Sequence, residues 1–128
     1  MTRVFLSVTG LIFLGYGIAC ALDPALPARL AGLDILDGDG YAEMGAMYGG
    51  LQSGAGLFLI LAAFRPALWQ GALLFLALGV GLLAALRAGS ALRTEDVVSA
   101  YTWGALLFES LVSALAVWLL SSPPRAGP

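Results

Sequence analysis

The chain has 128 residues, of which 60% are hydrophobic and only 11% charged, with a formal net charge of -2. Soluble domains carry roughly 25% charged residues, so this composition excludes an ordinary water-soluble fold. All basic residues are arginines (Arg3, Arg29, Arg65, Arg87, Arg93 and Arg125), no histidine or lysine occurs, and no basic stripe supports nucleic-acid binding. Without histidine and with Cys20 as the single cysteine, neither haem nor a cysteine-rich metal site is expected, and no cofactor is predicted.

Four apolar stretches run from Val4 to Leu22, Ala42 to Phe64, Ala67 to Leu86 and Val98 to Leu120. A helix crossing a ~30 Å hydrocarbon core needs ~20 mostly apolar residues, so each stretch can span a bilayer. The pieces between them are too short to hold a core of their own. The prediction is an all-α polytopic membrane protein: one domain over residues 1–128, folded as a four-transmembrane-helix antiparallel bundle. The first stretch is longer than the ~7–15 apolar residues of a signal-peptide core, so it reads as a retained span despite the small residues Ala19-Cys20-Ala21. Cys20, near its end, reads as a buried, inert thiol.

Between the first two spans, Asp23 is suited to cap a short helix whose first turn tolerates Pro24. Leu26, Leu30 and Leu33 then recur on one face, as expected of a helix lying in the membrane interface. The following acidic loop holds Asp34, Asp37, Asp39 and Glu43. Setting Gly40 at the glycine of a calcium-binding loop puts Ile35 and Ala46 at ligand positions, so the register fails and a solvated turn is expected. No metal site is predicted.

In the second span Gly45, Gly49, Ser53 and Gly56 recur every three or four residues, a small-residue face for close helix packing. Such a face serves either internal packing or the docking of a partner subunit. Phe64-Arg65-Pro66 then breaks the helix, because proline lacks an N–H and disfavours helix in the residue before it. The third span offers Ala77 and Gly81. Thr94 followed by Glu95 and Asp96 resembles a helix start, with acids at the positive end of the dipole. The fourth span carries Ala105, Ser113 and Ala116 on the face that also bears Glu109.

Glu109 is the outstanding residue, because a carboxylate near the middle of a span costs on the order of 2.5–3.5 kcal/mol by insertion scales. It must face the bundle, pair with a cation or take up a proton. Gln52 lies at nearly the same level, ~15 Å down the second span at ~1.5 Å per residue. Tyr48 and Tyr16 lie about a turn nearer the surface. Arg87 is placed to reach inward as a counter-ion or to snorkel outward. Glu109, Gln52, Tyr48 and Arg87 are therefore expected to line one polar spot, either a structural clasp or a ligand or proton site. No catalytic residue is identified.

An N-in, C-in topology places Arg3, Arg65 and Arg125 inside with no acid, and Arg29, Arg87 and Arg93 outside with every acidic residue of the loops. The arginines tie, but the inner ones lie in very short segments tight against the spans, which favours that orientation. Trp69 and Trp118 fall at the inner interface, and Tyr41, Tyr101 and Trp103 at the outer one, as amphipathic rings do.

The run Tyr48-Gly49-Gly50-Leu51-Gln52, a glycine-containing apolar span, then Arg87, then Glu109 within the last span resembles the bacterial membrane proteins grouped as domain of unknown function 4345. These look like distant relatives of the DoxX-type four-helix proteins. The resemblance covers about Ala42 to Leu120, and the first span by position. It implies a four-helix fold in the bacterial plasma (inner) membrane and no established activity. Family members commonly carry an arginine three residues before the tyrosine, where this chain has Gly45. The expected function is a non-enzymatic accessory or scaffold subunit of a membrane complex, with the lipid bilayer and a membrane protein or second copy as partners. The alternative is binding or passage of a lipophilic molecule or a proton around Glu109. A weaker alternative is a quinol-linked oxidoreductase subunit by analogy with DoxX.

Overall fold

Hydrocarbon offers the backbone no hydrogen-bond partner, so a chain immersed in it must satisfy each N–H and C=O internally, and the α-helix does so locally. The computed structural model describes residues 1–122; it is helical, with no strand among them. Arg125 lies outside the described residues. The helices are α1 (Thr2–Leu22), α2 (Ala25–Ala31), α3 (Gly38–Ala63), α4 (Pro66–Ala91) and α5 (Ala100–Ser121). All but the short α2 are long and apolar enough to cross a membrane, with 21, 26, 26 and 22 residues.

Helix length and apolar length differ, and the differences have local causes. α3 starts at Gly38 instead of near Ala42, because the Asp37 carboxylate accepts a hydrogen bond from the Gly40 N–H at 2.9 Å and caps the helix. The end of the acidic loop is thus the first turn of a span. α4 continues past Leu86 to Ala91, since hydropathy reports where lipid ends and not where hydrogen bonding ends. Thr94 does not start the last helix. Its hydroxyl accepts from the Asp96 N–H at 3.1 Å, a local turn that competes with helix initiation, and α5 begins after the extended Ser99.

The chain divides into two compact units, Met1–Ala67 and the part from Leu68 onward. In the first unit, α1 and α3 run antiparallel, with Gly10 against Gly56 and Ile60, Gly17 against Ser53, and Ala21 against Gly49. A Cβ at Gly56 would fall 2.7 Å from the Gly10 carbonyl oxygen and collide with the Leu14 backbone. One at Gly49 would lie 2.9 Å from the Ala21 Cα, and one at Gly17 would strike the Ser53 backbone. These helices therefore meet backbone to backbone, the contact that small residues permit in lipid. Gly45 differs from the other members of the face. A Cβ there would stand 3.6 Å from the Pro24 ring, an ordinary contact. The face formed by Gly49, Ser53 and Gly56 is covered by α1 of the same chain.

Around this hairpin Leu6, Cys20 and Leu59 are fully buried. α2 opens with the Asp23 carboxylate accepting from the Ala25 N–H at 3.2 Å and closes on Gly32, whose φ of +70° is the left-handed conformation glycine adopts freely. Its Pro27 and Ala28 are buried while Leu30 and Leu33 stay exposed, the arrangement expected of a helix resting on the headgroup region.

In the second unit, α4 and α5 are also antiparallel. Gly81 faces Ser113, and six residues further along α4, Arg87 meets Glu109. Each of α3 and α4 contains a widened π-helical stretch, Gly45–Leu51 and Leu76–Val80.

Enlarging Gly56 to leucine should destabilise the first hairpin by about 1–3 kcal/mol, since the added carbons meet backbone that has no room to move. Gly54, where an added methyl would meet nothing within 4 Å, should accept alanine with no loss or a gain of about 0.5–1 kcal/mol. Unfolding of both variants in graded sodium dodecyl sulfate, followed by circular dichroism, reads the contrast.

Candidate functional site: a buried arginine–glutamate pair

Glu109, Val112 and Ala116 are the buried residues of α5, spaced three and four apart and so on one stripe of the helix. The carboxylate belongs to the face that packs inward, which is the only place lipid tolerates it. Arg87, one turn before the end of α4, approaches it side-on. Its Nε donates to Oε1 at 3.1 Å and to Oε2 at 2.9 Å, and its Nη2 donates to Oε1 at 2.7 Å. The planar guanidinium edge matches the carboxylate, the pairing for which arginine is better shaped than lysine. Side-chain exposure is 8% for Glu109 and 26% for Arg87.

Of the residues expected to form a polar spot, the structure brings Arg87 and Glu109 into contact. Tyr48 and Gln52 are half-buried on α3 in the first unit, Tyr48 within the π-helical stretch, and Tyr16 lies on α1. Among the described residues, no group of three or more His, Cys, Asp or Glu is placed to hold a metal ion.

Two further polar contacts have no signature in the sequence. Asp23 caps α2 and also accepts from both terminal nitrogens of Arg29, forming an exposed ion pair. The Arg29 hydrogen bonds hold the Asp23 carboxyl below the usual carboxylate range, and Asp23 in turn raises the Arg29 guanidinium. The spacing of six residues across a helix start gives no recognisable pattern. At the opposite end of the same unit, the Arg3 guanidinium stacks over the Phe64 ring, 4.6 Å from its centroid. Neighbouring helix ends bring these two together, and no linear motif could reveal it.

The Arg87–Glu109 arrangement is chemically closed. Arginine keeps its proton throughout the accessible pH range, and its two donor nitrogens occupy both carboxylate oxygens. Its effect is to neutralise two charges in a low-dielectric setting and to clamp α4 to α5.

Two hairpins of membrane-length helices, the second locked by a buried ion pair, define a small polytopic helical membrane protein. Residues 1–120 match the family described as domain of unknown function (DUF4345), and the chain belongs to that family. The match takes in α1 as well as the later spans. No curated protein and no solved structure matches the chain.

Replacing Arg87 by glutamine strands the carboxylate and should cost the second hairpin ~3 kcal/mol, whereas replacing both partners by leucine should be close to neutral. A double-mutant cycle of detergent unfolding free energies measures the difference. Because the Asp23 carboxyl is depressed in the folded state, its contribution to seating α2 is present above its unfolded pKa of ~3.9 and disappears as pH falls through the lower folded value. Protection of the Ala25 and Leu26 amides, the intrinsic exchange rate divided by the observed one, should therefore fall in strong acid, and D23A, which removes both the cap and the ion pair, should show the low protection at every pH.

Proposed function

We propose that this chain is a non-enzymatic integral membrane protein of the bacterial plasma membrane, with both ends inside, that serves as an accessory or scaffold subunit of a membrane complex. The observation that carries the reading is the closed Arg87–Glu109 pair. The carboxylate that would otherwise be the natural proton carrier or ligand anchor is instead engaged by a guanidinium through both oxygens. What the chain offers a neighbour is apolar helix surface: Leu57, Leu78, Leu82, Leu107 and Leu111 are all exposed. Arg3 and Arg65, in short segments tight against the spans at one end of the first unit, support the orientation.

A second reading, binding of a lipophilic molecule with a polar head, draws on Arg87 alone. Its side chain keeps 26% exposure, so part of it stays in reach of a molecule lying against the hairpin.

Native mass spectrometry after gentle extraction with native lipid tests the two. Another polypeptide released with the chain in fixed ratio is the expected result, and it should persist in E109Q. A bare chain carrying one reproducible small-molecule mass, lost in R87Q, would replace the accessory-subunit reading with the second.

A further inference from the structure

We propose that the corner formed by Arg3, Phe64 and Arg65 is a binding site for the phosphate of an anionic phospholipid headgroup. The first unit is strongly polarised. Arg3 and Arg65 lie at one end, while Asp23, Asp34, Asp37, Asp39 and Glu43 all lie at the other, with Arg29 already engaged by Asp23. Twenty residues of α1 separate the ends, ~30 Å at ~1.5 Å per residue, nearly four times the ~8 Å Debye length of physiological salt. The acids therefore do little to offset the potential at the arginine end.

Arg3 and Arg65 are exposed, and neither forms an ion pair among the described residues. They come from different places in the chain. Arg3 is in the first turn of α1, and Arg65 follows the last turn of α3, where its N–H bonds the Ala62 carbonyl at 3.0 Å. The antiparallel hairpin sets them at one level, at the ends of two spans, where lipid phosphates lie. Phe64 organises the corner. Its ring lies under the Arg3 guanidinium, and among the described residues the N–H groups of Arg3 make no hydrogen bond. A fixed guanidinium with free edges suits phosphate oxygens, which arginine binds in bidentate fashion.

The test uses the full chain in mixed micelles containing equal phosphatidylglycerol and phosphatidylcholine, with bound lipid counted by native mass spectrometry. Phosphatidylglycerol should be retained preferentially. R3Q and R65Q should each reduce that preference about five-fold, the effect of one basic residue at an anionic surface. R29Q removes the same charge at the opposite end and should leave the preference intact. F64L removes the stacking ring without changing charge, and it should produce a smaller reduction that does not depend on how the charge variants fold. Inorganic phosphate at millimolar concentration should not displace the lipid; displacement would assign the site to free phosphate and overturn the proposal. Equal retention of both lipids, unchanged preference in R3Q and R65Q, or an equal loss in R29Q would overturn it as well.

Discussion

Apolar surface gains almost nothing by leaving lipid for the interior of a protein in the same membrane, so helices there hold together only through close approach or polar contact. Each unit of this chain uses one of these means. In the first, Gly10, Gly17, Gly49 and Gly56 bring α1 and α3 together at distances where no side chain fits between the backbones. In the second, α4 and α5 meet over larger residues, with Gly81 in ordinary contact with Ser113, and the added attraction comes from Arg87 and Glu109.

The ion pair places its two charges asymmetrically. Glu109 stands nine residues into α5 and is almost wholly enclosed, while Arg87 is rooted one turn from the end of α4. The arginine stem spans the difference in depth, keeping part of its length near the interface while its head reaches the acid. Glu109 has its cation within its own hairpin.

Charge at the ends of the first unit is organised as carefully as packing along it. One end keeps Arg29 against Asp23, which both caps α2 and fixes the course of the chain as it leaves α1. The other end stacks Arg3 on Phe64, and so ties the first turn of α1 to the last turn of α3. The glycine contacts between them set the register that brings both corners together. A change at Gly17 or Gly56 therefore acts at a distance on both ends.

Much of the architecture is legible in the chain itself. Span number and approximate position follow from apolar length alone, because the bilayer imposes a fixed thickness on any helix crossing it. The oddity of Glu109 is legible for the same reason, as is the small-residue face at Gly49, Ser53 and Gly56. Helix ends are less so: Asp37 starts α3 early and Thr94 fails to start α5, since a side chain able to cap a helix is equally able to close a turn. Partners are least legible. Arg87 was one of several groups at a suitable depth for Glu109, and Gly10 and Gly17 carried no mark that set them apart from Gly15, which meets nothing. Composition and periodicity determined by themselves that this is a helical membrane protein with an acid that needs compensation, because lipid acts on each residue separately. Only the tertiary structure decided which cation compensates it and which glycines touch, because those depend on the rotation and register of one helix against another, a relation between segments that no single segment encodes.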